Sequence, residues 1–185
     1  LCKRRGFVFP SSEIYGGVEA LWDYGPLGAL MKENIKREWK KRFFQERRDE
    51  MSFIDGAVLM HPKVWKASGH LESFTDDLIE CKRCHARFRV DKLAVEKCLK
   101  CGNDKFTPPR QFNLMFKTFL GPVQDTANIT FLRPETAQSM FTNFKLIQEI
   151  ESFKLPFGIA QIGKSFRNEI TTGNFTFRSK EFEIA

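Results

Sequence analysis

Two Cys-x-x-Cys pairs, Cys81/Cys84 and Cys98/Cys101, limit what this chain can fold into more than any other feature of it. Two thiolates on one tight turn can hold one side of a metal ion. A second such turn closes a tetrahedral four-sulfur shell, which suits zinc. Gly102-Asn103 after the second pair fits a tight ribbon turn. Four sulfurs leave no open coordination position, so the expected ion is structural zinc held by Cys81, Cys84, Cys98 and Cys101. His85 adjoins the first pair as an alternative ligand that nothing requires, and the competing reading is a set of reduced or disulfide-bonded thiols. Cys2 stands alone and reads as a small buried apolar residue. The cysteine-punctuated stretch divides the chain into residues 1–80, an inserted ribbon-like segment at 81–107, and residues 108–185.

At 185 residues, 42% hydrophobic and 29% charged, the chain has the make-up of an ordinary globular protein with one sizeable core. No apolar run approaches the ~18–20 residues of a membrane span. The basic start, Leu1 to Gly6, leads into no signal-peptide core. A cytoplasmic protein with no membrane role is expected. The net charge of +7 fits a polyanionic partner without identifying one. Much of it lies between Lys32 and Arg48, which reads equally well as the solvated face of a helix.

Pro26 after a turn opens a helix of about five turns, with Leu27, Leu30, Met31, Ile35, Trp39 and Phe43 at helical spacing. Residues 53–60 read as a strand and 112–119 as extended. Arg133-Pro134 reads as the start of a second helix bearing Ala137, Met140, Phe141, Phe144 and Ile147 on one stripe. Residues 158–162 and 164–170 read as strands, 171–174 as a turn and 175–184 as a further strand. The last two strands are expected to form an antiparallel hairpin. Helices and strands do not alternate regularly, so an α+β fold with an antiparallel sheet is expected rather than a doubly wound one.

The hairpin carries the chemistry. On strands, Arg167 and Glu169 share a face, as do Arg178 and Phe182. Two guanidinium groups match phosphate oxygens, a carboxylate accepts from an exocyclic amine, and an aromatic ring stacks on a base. The same residues also suit a hairpin with cross-strand Arg–Glu pairs and one packed Phe.

Phe166-Arg167-Asn168-Glu169 with Arg178-Ser179-Lys180-Glu181-Phe182 resembles motif 2 of class II aminoacyl-tRNA synthetases. The rest of the chain is similar to glycyl-tRNA synthetases of the homodimeric type. The matching stretches include Arg4-Arg5-Gly6-Phe7, Ser11 to Gly17, Asp23 to Gly28, Ser68-Gly69-His70, Arg87-Phe88-Arg89, Leu132 to Gln138 and Gly158 to Gly163. The resemblance implies a class II antiparallel sheet flanked by helices and an enzyme that joins glycine to tRNA(Gly) through a glycyl-adenylate, with ATP and Mg2+. It implies Arg167 on the α-phosphate, Glu169 on the adenine amine, Phe182 stacked on the base and Arg178 on the γ-phosphate, with Asn168 and Phe177 lining the same site. Glu135 becomes the ligand of the glycine ammonium, although a Glu after Pro at a helix start also serves the helix dipole. Arg89 and Glu183 fall on the glycine side. The Pro26-led helix corresponds in position to the dimer element.

Ser139 and Thr172 depart from the residues usual in that family. Its third motif and anticodon-binding domain are not in this sequence, so a truncated chain, inactive alone, is expected. The alternative is a catalytically silent synthetase-like accessory protein that binds nucleic acid.

Overall fold

A computed structural model describes residues 1–92, 97–170, 172–173 and 175–185. β1 (Val8–Pro10) and β2 (Trp22–Tyr24) pair antiparallel, and α1 (Pro26–Phe43) follows at once. Pro26 at the first helical position sacrifices no hydrogen bond, and Lys40, Lys41 and Arg42 meet the negative end of the helix. The expected five turns are present, but the apolar stripe is not the docked side. Gly28 packs so closely that a Cβ there would stand 1.9 Å from the Phe7 carbonyl oxygen. Lys32 and Lys36, on the same face one and two turns on, are half-buried, while Leu27, Leu30, Met31 and Ile35 stay exposed.

The strand expected at 53–60 is two short pieces, β3 (Met51–Phe53) and β4 (Leu59–Met60). Between them, Gly56 sits against Ser139, and its carbonyl accepts from Arg133 Nη1 at 2.7 Å, which removes it from any ladder. α2 (Pro62–Ala67) and α3 (His70–Ser73) are separated by Gly69 at φ 77°, and Trp65 of α2 is fully buried. β5 (Thr75–Glu80) is the centre of a three-stranded antiparallel sheet, between β6 (Arg87–Arg89) and β7 (Arg110–Asn113). Leu78 and Ile79 of β5 are core residues. The extended stretch at 112–119 breaks where Asn113 Oδ1 accepts from Met115 N at 2.9 Å, and resumes as β8 (Lys117–Phe119).

β9 (Ile129–Leu132) pairs antiparallel with both β4 and β8. The second helix, α4 (Ala137–Glu151), starts later than Arg133-Pro134. Arg133 is 2% exposed; its N–H donates to Val58 and its carbonyl accepts from Phe166, so it completes strand-like pairing before the helix begins. β10 (Gly158–Ala160) lies parallel to β3. β11 (Gly163–Phe166) and β12 (Glu181–Ile184) form the expected antiparallel pair, with Ser165 opposite Phe182. Both are shorter than expected. Residues 175–177 form a 3-10 turn, and of the turn at 171–174, Thr171 and Asn174 lie outside the described residues.

The architecture is therefore mixed helix and strand with several small antiparallel sheets, and β3–β10 is the parallel pairing among the described strands. No helix among the described residues is long and apolar enough to cross a membrane.

Candidate functional site

The cysteines converge at one end of β5. Cys81 Sγ lies 3.6 Å from Cys101 Sγ and Cys84 Sγ 3.5 Å from Cys98 Sγ, and all four sulfurs fall within 4.8 Å of one another. The edge of a zinc–sulfur tetrahedron with ~2.3 Å bonds is about 3.8 Å, so the donor set fits one tetrahedral ion. Burial pushes the Cys81 thiol up, but the backbone amides of Cys84 and Arg83, with Asn103 and Cys101, donate to its sulfur and bring it down to about 6. At Cys101 the Asn103 amide lowers, but burial and shared hydrogen bonds with the other three thiols hold its proton and raise it to about 12. This cluster could hold a metal ion. His85 turns away from it, to Glu80 at 3.0 Å.

The other end of β5 faces the hairpin. Arg167 lies just beyond β11, its N–H donating to the Lys180 carbonyl at 2.9 Å. Its guanidinium sits between two rings, 5.4 Å from Phe74 and 5.3 Å from Phe182, and Nε donates to the Pro134 carbonyl at 3.1 Å. A cation on aromatic faces with one carbonyl partner keeps N–H groups free for an anion. Glu169 is buried, and its Oε2 accepts from Arg178 Nη2 at 2.6 Å. Arg178 does not share a strand with Phe182; the chain bends between them. Asn168 and Glu169 line a groove of about 610 Å³ that Arg110 and Lys180 also border. Phe177 is 93% exposed.

Glu135 precedes α4, just before the Thr136 cap. Its Oε1 accepts from Gln138 Nε2 at 2.6 Å, with His70 Nε2 at 3.4 Å. Arg89 grips Asp91 through Nε and Nη2, at 2.9 and 3.0 Å, and its Nη1 reaches Asp76 at 2.9 Å. Burial raises the Asp76 carboxyl above its ordinary range; Arg89 opposes the shift, and Glu169 adds to it. Arg89 therefore joins the charged cluster of Glu169 and Arg178. Glu183 does not join it. Strand alternation puts it opposite Phe182, where Lys36 holds it at 2.8 Å and Lys32 at 3.6 Å. Phe74, Asp76, His70 and Gln138 were not expected from the sequence. Phe74, Asp76 and His70 contact the site residues across the fold, with no local spacing to mark them, whereas Gln138 reaches Glu135 from three residues on.

No protein-family model matches the chain. Among curated proteins it is similar to the glycine--tRNA ligase of Geobacillus thermodenitrificans, 53% identical over 98% of this chain and 45% of that protein. The glycine--tRNA ligase of Bacillus cereus is 52% identical over 99% of the chain and 46% of its own length. That of Treponema denticola is 55% identical over 99% and 41%. Over nearly all of its length this chain is similar to these glycine--tRNA ligases, and it spans under half the length of those curated relatives.

Proposed function

We propose that the chain is the part of a class II glycyl-tRNA synthetase that holds ATP and glycine. It serves the ATP-dependent attachment of glycine to tRNA(Gly) in the cytoplasm, through a glycyl-adenylate. The observation that carries this reading is the Arg167 guanidinium, held between Phe74 and Phe182 and bonded to the carbonyl next to Glu135. One arginine so placed can meet the α-phosphate while a glycine ammonium rests on Glu135, which brings the glycine carboxylate to the phosphorus. Rate then comes from positioning and from stabilising charge on the phosphate oxygens.

In this reading the Arg178–Glu169 pair opens when ATP enters. Arg178 turns to the γ-phosphate and Glu169 accepts from the adenine amine. Phe182 stacks on the base, and Asn168 and Phe177 border it. Mg2+ arriving with ATP screens the triphosphate. Arg89, held by Asp76 and Asp91, supports the glycine side, and Glu183 reaches that side only by leaving Lys36. Zinc in the four-cysteine shell is structural, and the exposed stripe of Leu27, Leu30, Met31 and Ile35 supports a homodimer through α1.

The protein carrying this chain is expected to catalyse ATP–pyrophosphate exchange with glycine and to ignore alanine, whose Cβ a cramped pocket rejects. Absence of glycine-dependent exchange in the folded protein overturns the reading in favour of a silent, nucleic-acid-binding relative.

A further inference from the structure

Ser68, Gly69 and His70 have no part in the reaction as described so far. His70 follows Gly69, whose φ of 77° turns the chain from α2 into α3. Its ring lies between Trp65 and Phe74, with centroids 5.5 and 5.4 Å away. Its carbonyl and that of Leu71 both accept from Asn113 Nδ2, at 2.9 and 3.1 Å. The imidazole is thus flanked by two rings and anchored through its backbone.

The two ring nitrogens have different partners. Nδ1 is 2.8 Å from Ser68 Oγ, and Nε2 is 3.4 Å from Glu135 Oε1. An ionised carboxylate only accepts, so the contact with Glu135 attracts when Nε2 carries the hydrogen. A neutral ring then has a bare Nδ1 facing Ser68 Oγ, whose hydroxyl can donate there or to the Trp65 carbonyl at 3.4 Å. The distance of 3.4 Å is long for an N–H···O bond, and bonds of this kind shorten when a site fills. Gln138 donates to the same Oε1, while Oε2 has no hydrogen-bond partner among the described residues.

We propose that His70, donating from Nε2 with Ser68 against its Nδ1, is a positioning residue that holds Glu135 Oε1 and leaves Oε2 for the ammonium of a small amino acid. The role rests on the reading of Glu135 as the ammonium ligand. Phe74 touches both His70 and the Arg167 guanidinium, so the amino-acid side and the phosphate side share one support.

Glycine-dependent ATP–pyrophosphate exchange by the protein carrying this chain tests it. His70→Phe keeps a ring between Trp65 and Phe74 and removes the donor. The KM for glycine should rise ~10-fold or more, as expected when a hydrogen bond to a charged group is lost. The KM for ATP and kcat should stay within ~2-fold, the pattern of a lost binding contact. His70→Gln offers an N–H toward Glu135 and a carbonyl toward Ser68, and should recover most of the affinity. Glu135→Gln separates the two layers of the reading. An unchanged glycine KM there removes the ammonium role of Glu135, and the proposal with it. A raised glycine KM in Glu135→Gln together with a normal one in His70→Phe overturns the positioning role alone. Parallel rises for glycine and ATP in His70→Phe, without rescue by Gln, assign His70 to packing and overturn it too.

Discussion

The cysteine cluster and the arginine–glutamate centre stand at opposite ends of β5 and are held in opposite ways. At the far end, Cys81 follows the strand directly, and Cys84, Cys98 and Cys101 reach it from turns close by in sequence. Their sulfurs crowd one another and are steadied by backbone amides of the same turns. At the near end, Phe74 and Asp76 meet Arg89, Arg167, Glu169 and Arg178, which come from β6 and from both arms of the hairpin. There Arg89 bridges Asp76 and Asp91, Glu169 pairs with Arg178 across the hairpin, and Phe74 reaches Arg167 from far along the chain. A cluster closed by its own turns can be completed by one ion. A centre assembled from several elements depends on all of them, but its ion pairs can exchange partners when a substrate enters.

Removing the proposed metal is the strongest test of that contrast. Cys98→Ser, or a chelator, should raise amide exchange around Cys81, Cys98 and Cys101 by ~1000-fold or more, since structural zinc supplies most of the folding energy of small metal-held segments. Exchange in α4 should stay nearly unchanged. Equal loosening of both regions would show that the two ends of β5 are one cooperative unit, and full protection without metal would remove the structural ion altogether.

Arg167→Ala probes the near end. It removes a cation from two rings and from the Pro134 carbonyl, and glycine-dependent exchange should fall by ~100-fold or more. The proposed zinc content of one ion per chain should be the same in the variant and the parent. Near-normal exchange in the variant would return Arg167 to a packing role.

The smallest effect concerns Asp76. Burial raises its carboxyl in the folded protein despite Arg89, so folding favours the protonated form. Stability from this group is fully present below the unfolded value of ~3.9 and is lost as pH rises through the higher folded value. Asp76→Asn avoids that loss. Its melting temperature relative to the parent should climb from about pH 4 towards neutrality, by no more than ~4 °C. A difference that shrinks with rising pH would mean that the Arg89 ion pair outweighs burial.

Local chemistry was readable from the residues in order. The Cys-x-x-Cys spacing, Pro26 as a helix start, the 18 residues of α1 and the β11–β12 pairing all depend on neighbours or on one turn of chain. Glu169 and Arg178 also form the Arg–Glu pair across the hairpin that their positions suited. Tertiary structure alone decided which side of α1 is docked. The close approach of Gly28 to Phe7 and the Lys36–Glu183 pair, 147 residues apart, outweigh the apolar stripe. It also made Arg133 part of the strand pairing rather than of α4, turned Glu183 to the side opposite Phe182, and set His70 beside Glu135. A helix cap or a metal knuckle is specified by atoms a few bonds away. A charge whose partner lies far along the chain, by contrast, takes whichever group the completed fold brings within hydrogen-bonding distance, and no spacing in the chain encodes that partner.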